Sequence, residues 1–336
     1  MLEVSELGKT YRVADKQPGV KGSLRHLFRR VTREVTAVAG VSFTIEPGEF
    51  VGFLGANGAG KTTTLKMLSG LIKPSSGRAS VLGHEPFKRE HAFLKQITLV
   101  MGQKQQLIWD LPALDSLRIN GAVYELSPAE ATRRIGELGE MLDINHLLTL
   151  PVRKLSLGER MKCELLAALL HLPAVLFLDE PTLGLDINAQ ESIRAFLKQY
   201  NQQYRATVLL TSHYMADITA LCSRVLVIHQ GRLIYDGGLA DLADRLTPCR
   251  EIELRLAEPI SNERLAAFGE VATRDGLSVR LMVNRPDLRD TLARLVEELK
   301  PTDLTIHEPP IESVIGPLLR GERSLLSATG TAQERS

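Results

Sequence analysis

Long hydrophobic runs are missing from this chain. The longest apolar stretch, Leu165 to Leu178, is shorter than a bilayer span and is interrupted by His171 and Pro173. It reads as a helix end, a turn and a buried strand, which excludes a transmembrane helix. Cysteine is scarce. Cys163, Cys222 and Cys249 are the three thiols, and their spacing matches neither a metal site nor a disulfide framework, which fits a reducing compartment. A charge excess is missing too: Lys and Arg number 41 against 40 Asp and Glu, so nothing favours wholesale nucleic-acid binding. The start, Met1-Leu2-Glu3-Val4, leads into a polar segment with no secretory pattern. What is left is an ordinary globular composition, 44% hydrophobic over 336 residues, with room for one large domain and one small one.

Against that background one stretch stands out: Gly55-Ala56-Asn57-Gly58-Ala59-Gly60-Lys61-Thr62-Thr63. It fits G-x-x-x-x-G-K-[ST], follows the apolar run Phe50 to Leu54 and precedes Thr64 to Leu68, so it reads as a strand-to-helix turn that cradles phosphate. The glycines let successive backbone N–H groups turn inward, and the helix N-terminus adds its positive dipole end. Lys61 is expected at the β- and γ-phosphates and the Thr62 hydroxyl at Mg²⁺. A second apolar run, Val175 to Leu178, ends in Asp179-Glu180, at the strand end where α/β folds bind ligands. Asp179 is the expected Mg²⁺ partner and Glu180 the expected general base on water.

These two motifs specify a P-loop NTPase and no more. The class narrows at Leu155-Ser156-Leu157-Gly158-Glu159-Arg160, some twenty residues before the acidic pair. Here the chain resembles the ATP-binding subunits of ABC transporters, over residues 1 to about 245. The family signature is Leu-Ser-Gly-Gly-Gln; this copy carries Leu157 for the first glycine and Glu159 for the glutamine. Several further positions match in order. Gln103, after Ile97 to Val100, resembles the glutamine that joins the Mg²⁺ site to the helical subdomain, with Gln105 and Gln106 close by. Gly184-Leu185-Asp186 looks like the loop that meets the partner subunit. His213, after Thr207 to Ser212, resembles the switch histidine at the γ-phosphate, and Tyr11 looks like the aromatic residue that stacks on adenine.

The resemblance implies an α/β fold: a parallel-sheet core, an antiparallel β subdomain and a helical subdomain at about 104–170. It implies ATP and Mg²⁺ as cofactors and hydrolysis of ATP as the activity. It also implies that Ser156, Leu157, Gly158 and Glu159 serve the nucleotide of a second ATPase chain, most simply another copy. With one copy of each motif, the chain cannot complete a site alone. A separate multi-span permease, and a peripheral place on the cytoplasmic face of the membrane, follow from the same resemblance.

Between Tyr11 and Val41 lies an insertion of roughly twenty residues, at about 12–35, longer than a hairpin connection requires. Leu24, Leu27, Phe28 and Val31 form one helical stripe in it, surrounded by Lys16, Lys21, Arg25, Arg29, Arg30 and Arg33. Two readings stand: a surface helix packed on the ATPase sheet, or a membrane-proximal helix whose basic face meets anionic lipid or the permease. The insertion resembles one in the exporters of polysaccharides and drugs that use a separate membrane subunit.

The first domain is expected to close at 246. From 247 the order β-α-β-β-α-β, with strands near Glu251 to Leu256, Val271 to Arg274, Leu277 to Val283 and Leu304 to Ile306, suggests a small α+β ferredoxin-like domain at 247–320. Residues 321–336 read as a disordered tail. Three function classes are compatible with the catalytic motifs: the ATPase subunit of an exporter, that of an importer, or a soluble ABC ATPase. Exporter fits best, because Leu-Ser-Leu-Gly-Glu-Arg-Met-Lys-Cys and Thr-Ser-His-Tyr-Met look like drug-resistance and daunorubicin-type export ATPases. The soluble members carry tandem ATPase halves or a long coiled-coil insertion, and this chain has neither.

Overall fold

The computed structural model describes residues 1–14, 32–102, 106–246 and 249–307. The insertion's helical stripe from Leu24 to Val31, Gln103 and Gln105, and the tail lie outside the described residues. Two compact units are present, Met1–Leu239 and a second beginning at Ala240. They part at the first residue of the helix Leu239–Leu246, which the sequence reading put at the end of the first domain.

The first unit is built on two sheets. Strands β1 (Leu2–Ala14), β2 (Thr32–Ile45) and β4 (Ser76–Val81) pair antiparallel in the order β2-β1-β4. After register shifts between Val4 and Thr10, the pairing of β1 and β2 runs regularly from Thr10 opposite Thr36 out to Ala14 opposite Thr32. The flanks expected to belong to the insertion are therefore strand, and Arg12 and Glu34 face each other there in an exposed ion pair. The second sheet has the order β5-β6-β7-β3-β8-β9, from β3 (Phe50–Leu54), β5 (Ile97–Met101), β6 (Val175–Asp179), β7 (Thr207–Thr211), β8 (Arg224–His229) and β9 (Arg232–Gly238). All its pairings are parallel except β8 with β9. Its central strands are apolar on both faces because both faces are covered; all five residues of β3 are buried. Leu2, Leu7, Ile45, Phe53, Leu65 and Phe177 share one core that joins the two sheets through helix α1 (Lys61–Leu68).

Between β5 and β6 the chain makes the helical part: α2 (Ala113–Val123), α3 (Pro128–Met141) and α4 (Leu157–Leu169), packed on one another. Helix α3 has a start legible in sequence, with Ser127 as cap and Pro128 in the first turn. Its buried Ala131, Ile135 and Leu138 repeat at helical spacing. Helix α5 (Ile187–Tyr204) buries Ile193, Phe196, Leu197 and Tyr200 and is capped by Asp186.

In the second unit, strands β10 (Cys249–Arg255), β11 (Glu270–Asp275), β12 (Ser278–Asn284) and β13 (Asp303–His307) form an antiparallel sheet in the order β11-β12-β10-β13. Helices α6 (Asn262–Ala266) and α7 (Leu288–Arg294) fall between them in the β-α-β-β-α-β order, the arrangement of a ferredoxin-like domain. One sheet face carries the core, Ile252, Leu254, Val279, Leu281 and Val283. Between these positions β10 and β12 carry charge, with Arg280 bridging Glu251 and Glu253. That alternation is the pattern of a half-buried sheet.

Candidate nucleotide-binding site

The strand order of the six-stranded sheet brings the marked residues together. Strand β6 lies between β5 and β7, so Asp179 stands in register with Met101 on one side and Thr211 on the other. Strand β3 is the next strand beyond β7 and opens into the loop 55–60, which turns into α1. All of these strand ends point to the same edge, because the strands are parallel.

The loop's backbone is shaped for close approach. Gly60 has φ of 110°, and a Cβ there would sit 2.5 Å from the Ala37 carbonyl oxygen, so no larger residue is accommodated. Gly231 ties the loop from the far side: its N–H donates to the Ala59 carbonyl at 3.0 Å, and its own carbonyl accepts from the Ala39 N–H at 2.8 Å. Lys61 is buried, and its ammonium donates to the carbonyls of Gly55 at 2.6 Å and Ala56 at 3.1 Å. Burial lowers its pKa, and the nearby Glu180 and Asp179 carboxylates pull it back up. The loop therefore offers a fixed cation and a row of amides at a helix start, which suits phosphate.

The acidic half is tied to the loop by hydroxyls. Thr62 Oγ1 donates to Asp179 Oδ2 at 2.8 Å, and Thr211 Oγ1 donates to Asp179 Oδ1 at 2.7 Å. A carboxylate beside a threonine hydroxyl is a hard oxygen donor set, of the kind Mg²⁺ takes together with phosphate oxygens, so these residues fit an ATP–Mg²⁺ group. Glu180 follows with φ of 55°, a left-handed conformation that costs a non-glycine residue energy and clusters at functional sites. Its N–H donates to the Thr211 carbonyl at 3.0 Å, and its Oε1 lies 2.8 Å from His213 Nε2. Both side chains keep access to solvent, at 22% and 34% exposure, as a base working on water requires.

Three supports of this half escape sequence inspection. Asp217, 1% exposed, accepts from Thr182 Oγ1, Ser212 Oγ and the Arg194 guanidinium. It joins the segment after Glu180, the segment before His213 and α5. Thr211 is the second. Arg194 is the third, one of two cations on α5 with Lys198, and nothing in the sequence sets it apart.

The signature residues build a different object. Ser156 caps α4: its Oγ accepts from the Glu159 N–H at 3.3 Å, while Glu159 Oε2 accepts from the Ser156 N–H at 2.8 Å, a reciprocal capping box. The Ser156 amide and hydroxyl lower the Glu159 pKa. A Cβ on Gly158 would lie 2.7 Å from Ala189 Cβ, so the starts of α4 and α5 touch there. Asp186, which caps α5 by accepting from the Ala189 N–H at 3.0 Å, stands beside it. Leu157 is 46% exposed. Tyr11 sits opposite Val35 on the β1–β2 hairpin, two residues from Ala37, whose carbonyl backs Gly60.

Comparison with known proteins follows this geometry. The ABC transporter family model matches residues 38–183, and the C-terminal domain model of EvrA-like ABC transporters matches 248–307. The ATP-binding protein NatA of Bacillus subtilis is 37% identical over 64% of this chain and 87% of its own length. The chain belongs to the ABC transporter ATP-binding protein family. Another family member, the linearmycin resistance ATP-binding protein LnrL of Bacillus subtilis, is 34% identical over 75% of this chain and 80% of its own length. The Nod factor export ATP-binding protein I of Burkholderia lata is 34% identical over 77% and 86%. A solved ATP-binding subunit of an ABC transporter superposes with a TM-score of 0.59 at 26% identity, covering 73% of this chain and 92% of that one. As an ABC ATP-binding subunit the chain is an ATP-binding protein of a transporter, and among the described residues no helix is long and apolar enough to cross a membrane.

Proposed function

We propose that this chain hydrolyses ATP to power export through a separate multi-span permease, as one of two identical ATPase subunits at the cytoplasmic face of the membrane. The observation that carries the hydrolytic part is Glu180, held in a left-handed conformation with its carboxylate 2.8 Å from His213, next to the Asp179 that Thr62 and Thr211 fix. In this reading Lys61 and the amides of residues 55–63 take the phosphates. Thr62, Asp179 and Gln103 organise Mg²⁺, the ion that would screen phosphate charge there. Glu180 orients and deprotonates water, His213 senses the terminal phosphate, and Tyr11 stacks on adenine. Ser156 and Gly158 of the second copy, flanked by Leu157 and Glu159, close the nucleotide from its open side, and the Asp186 loop meets the partner. Binding of ATP thus closes a dimer and hydrolysis reopens it.

Export as the direction rests on the relatives named for resistance and export. A permease as partner is supported by an apolar surface on the helical part. Ile108, Trp109, Val123 and Ile119 are exposed there, next to a cavity of about 500 Å³ lined by Leu71, Leu94, Leu99, Met101, Val123 and Tyr124. Aromatic and aliphatic side chains in such a setting anchor interfaces. The basic insertion expected at about 12–35 is proposed to meet anionic lipid or the permease. Co-purification with a multi-span membrane protein, followed by ATP-driven substrate movement in sealed vesicles, tests the proposal. Movement out of the cytoplasmic side is the expected result; movement toward it would make the complex an importer, and absence of any membrane partner would overturn the transport role.

A further inference from the structure

Glu164 is a carboxylate with an unusual address. It lies two turns along α4, between Cys163 and Leu165, is 4% exposed, and has fully buried neighbours on both sides in sequence. Burying a carboxylate there is costly unless it is hydrogen-bonded. Its partners explain the placement. Oε2 accepts from the Gln106 N–H at 2.8 Å and Oε1 from the Leu107 N–H at 3.3 Å. Burial raises its pKa, while these two amides and Arg160 pull the other way. Arg160, one turn earlier, lies over the Trp109 ring at 5.3 Å, so the same helix grips the same segment twice.

Gln106 and Leu107 follow Gln103 by three and four residues. The other flank of Gln103 is also held. The Gly102 N–H donates to the Asp179 carbonyl at 3.1 Å, and a Cβ at Gly102 would lie 2.5 Å from the Glu180 carbonyl oxygen. One flank is therefore fixed to the backbone of the acidic pair and the other to the helix that Ser156 begins. We propose that Glu164 is a positioning residue, clamping the segment after Gln103 to the signature helix so that the two motifs shift together. The proposal rests on the ATPase reading given above, and it deepens that reading by naming the joint between the two motifs. Because Glu164 uses both oxygens as acceptors, Glu164→Gln replaces one acceptor with an NH₂ group and sets donor against donor at one of the two amides.

The test is steady-state ATP hydrolysis and nucleotide affinity on the purified full chain, with Glu164→Gln, Gln103→Ala and the double variant. Glu164→Gln is expected to lower kcat about tenfold and to leave nucleotide affinity within about threefold, a split that a general loss of fold would not give. On the Gln103→Ala background the same change should alter kcat by less than about twofold, since residues acting as one unit are not additive. Wild-type kcat for Glu164→Gln, or multiplying effects in the double variant, would overturn the proposal. Should Glu164→Gln fail to fold, hydrogen exchange on the Glu180→Gln chain decides instead. Addition of ATP and Mg²⁺ should change protection at 106–107 and at 156–164 together; a change at 156–164 alone would overturn the clamp. A wild-type chain that binds but does not hydrolyse ATP would defeat the proposed function, while the exchange measurement would still decide the role of Glu164.

Discussion

The phosphate loop and the signature segment, the two parts of the first unit that the sequence marks for nucleotide, spend their polar groups in opposite ways. Around the loop, beside the local bonds of Lys61 to Gly55 and Ala56, the acidic half is tied by bonds between elements far apart in sequence: Thr62 to Asp179, Thr211 to Asp179, Glu180 to His213. At the signature every bond of Ser156 and Glu159 is local and closes a helix start. One half is therefore assembled by the fold, strand beside strand, and its geometry depends on the whole sheet. The other is a self-contained cap that presents a half-exposed Leu157 to whatever approaches. A half-site that satisfies itself locally can be carried as a rigid unit to a second molecule, which is what the two-chain reading asks of it.

The largest expected effect breaks the fold-assembled half at its chemistry. Glu180→Gln should lower ATP turnover by about a hundred- to ten-thousandfold while the chain still binds ATP, measured by phosphate release and by nucleotide titration. Retained turnover would remove Glu180 from the role of base. Next comes its buried support. Asp217→Ala leaves Arg194, 14% exposed, without its carboxylate, and should cost about 3–5 kcal/mol of stability in denaturant unfolding, with turnover falling in parallel. Neither result is expected at the signature, and that contrast is the point of the comparison.

The third prediction concerns the joint between the helical part and the sheet. His171 stacks on Tyr124 with parallel rings 3.7 Å apart, and its Nε2 lies 3.2 Å from the Ile97 carbonyl oxygen. Burial holds its pKa down at about 4 against an ordinary 6.5. Above 6.5 the ring is neutral in both folded and unfolded chains and contributes no pH dependence. Between 6.5 and about 4 the unfolded chain takes up the proton that the folded one refuses, so stability falls by about 3 kcal/mol. Unfolding midpoints across that range should show the loss in wild type, and His171→Phe should lack it. The smallest effect belongs to the local half: Ser156→Ala removes the cap of α4 and should cost about 1 kcal/mol in stability, with nucleotide affinity of the isolated chain unchanged.

Much of the loop half could be read from sequence because its motif is contiguous. A glycine pattern between an apolar run and a helix start allows few structures, and Asp179 and Glu180 end an unbroken apolar strand. The β-α-β-β-α-β order of the second unit was visible because β10 and β12 alternate cleanly, although the exposed β11 does not. What stayed hidden is the set of groups whose meaning depends on strand order. Thr211 matters because β7 adjoins β6, and Asp217 because the fold brings Thr182, Ser212 and Arg194 to one carboxylate. Glu164 looked like one charge in a helix until the segment after Gln103 was seen against it. The flanks at 12–14 and 32–35 fell within the expected insertion because its bounds rest on the chain length between Tyr11 and Val41, yet they continue the β1–β2 pairing, and exposed strands carry charge readily on an edge.

The most direct test of the two-half account is light scattering with size exclusion on purified Glu180→Gln chain, with and without ATP and Mg²⁺. The account predicts a monomer that becomes a dimer only with nucleotide, and that reverts to monomer when Ser156→Arg is added to block the signature face. A mass that does not respond to ATP, or an ATP-induced dimer indifferent to Ser156→Arg, would contradict it.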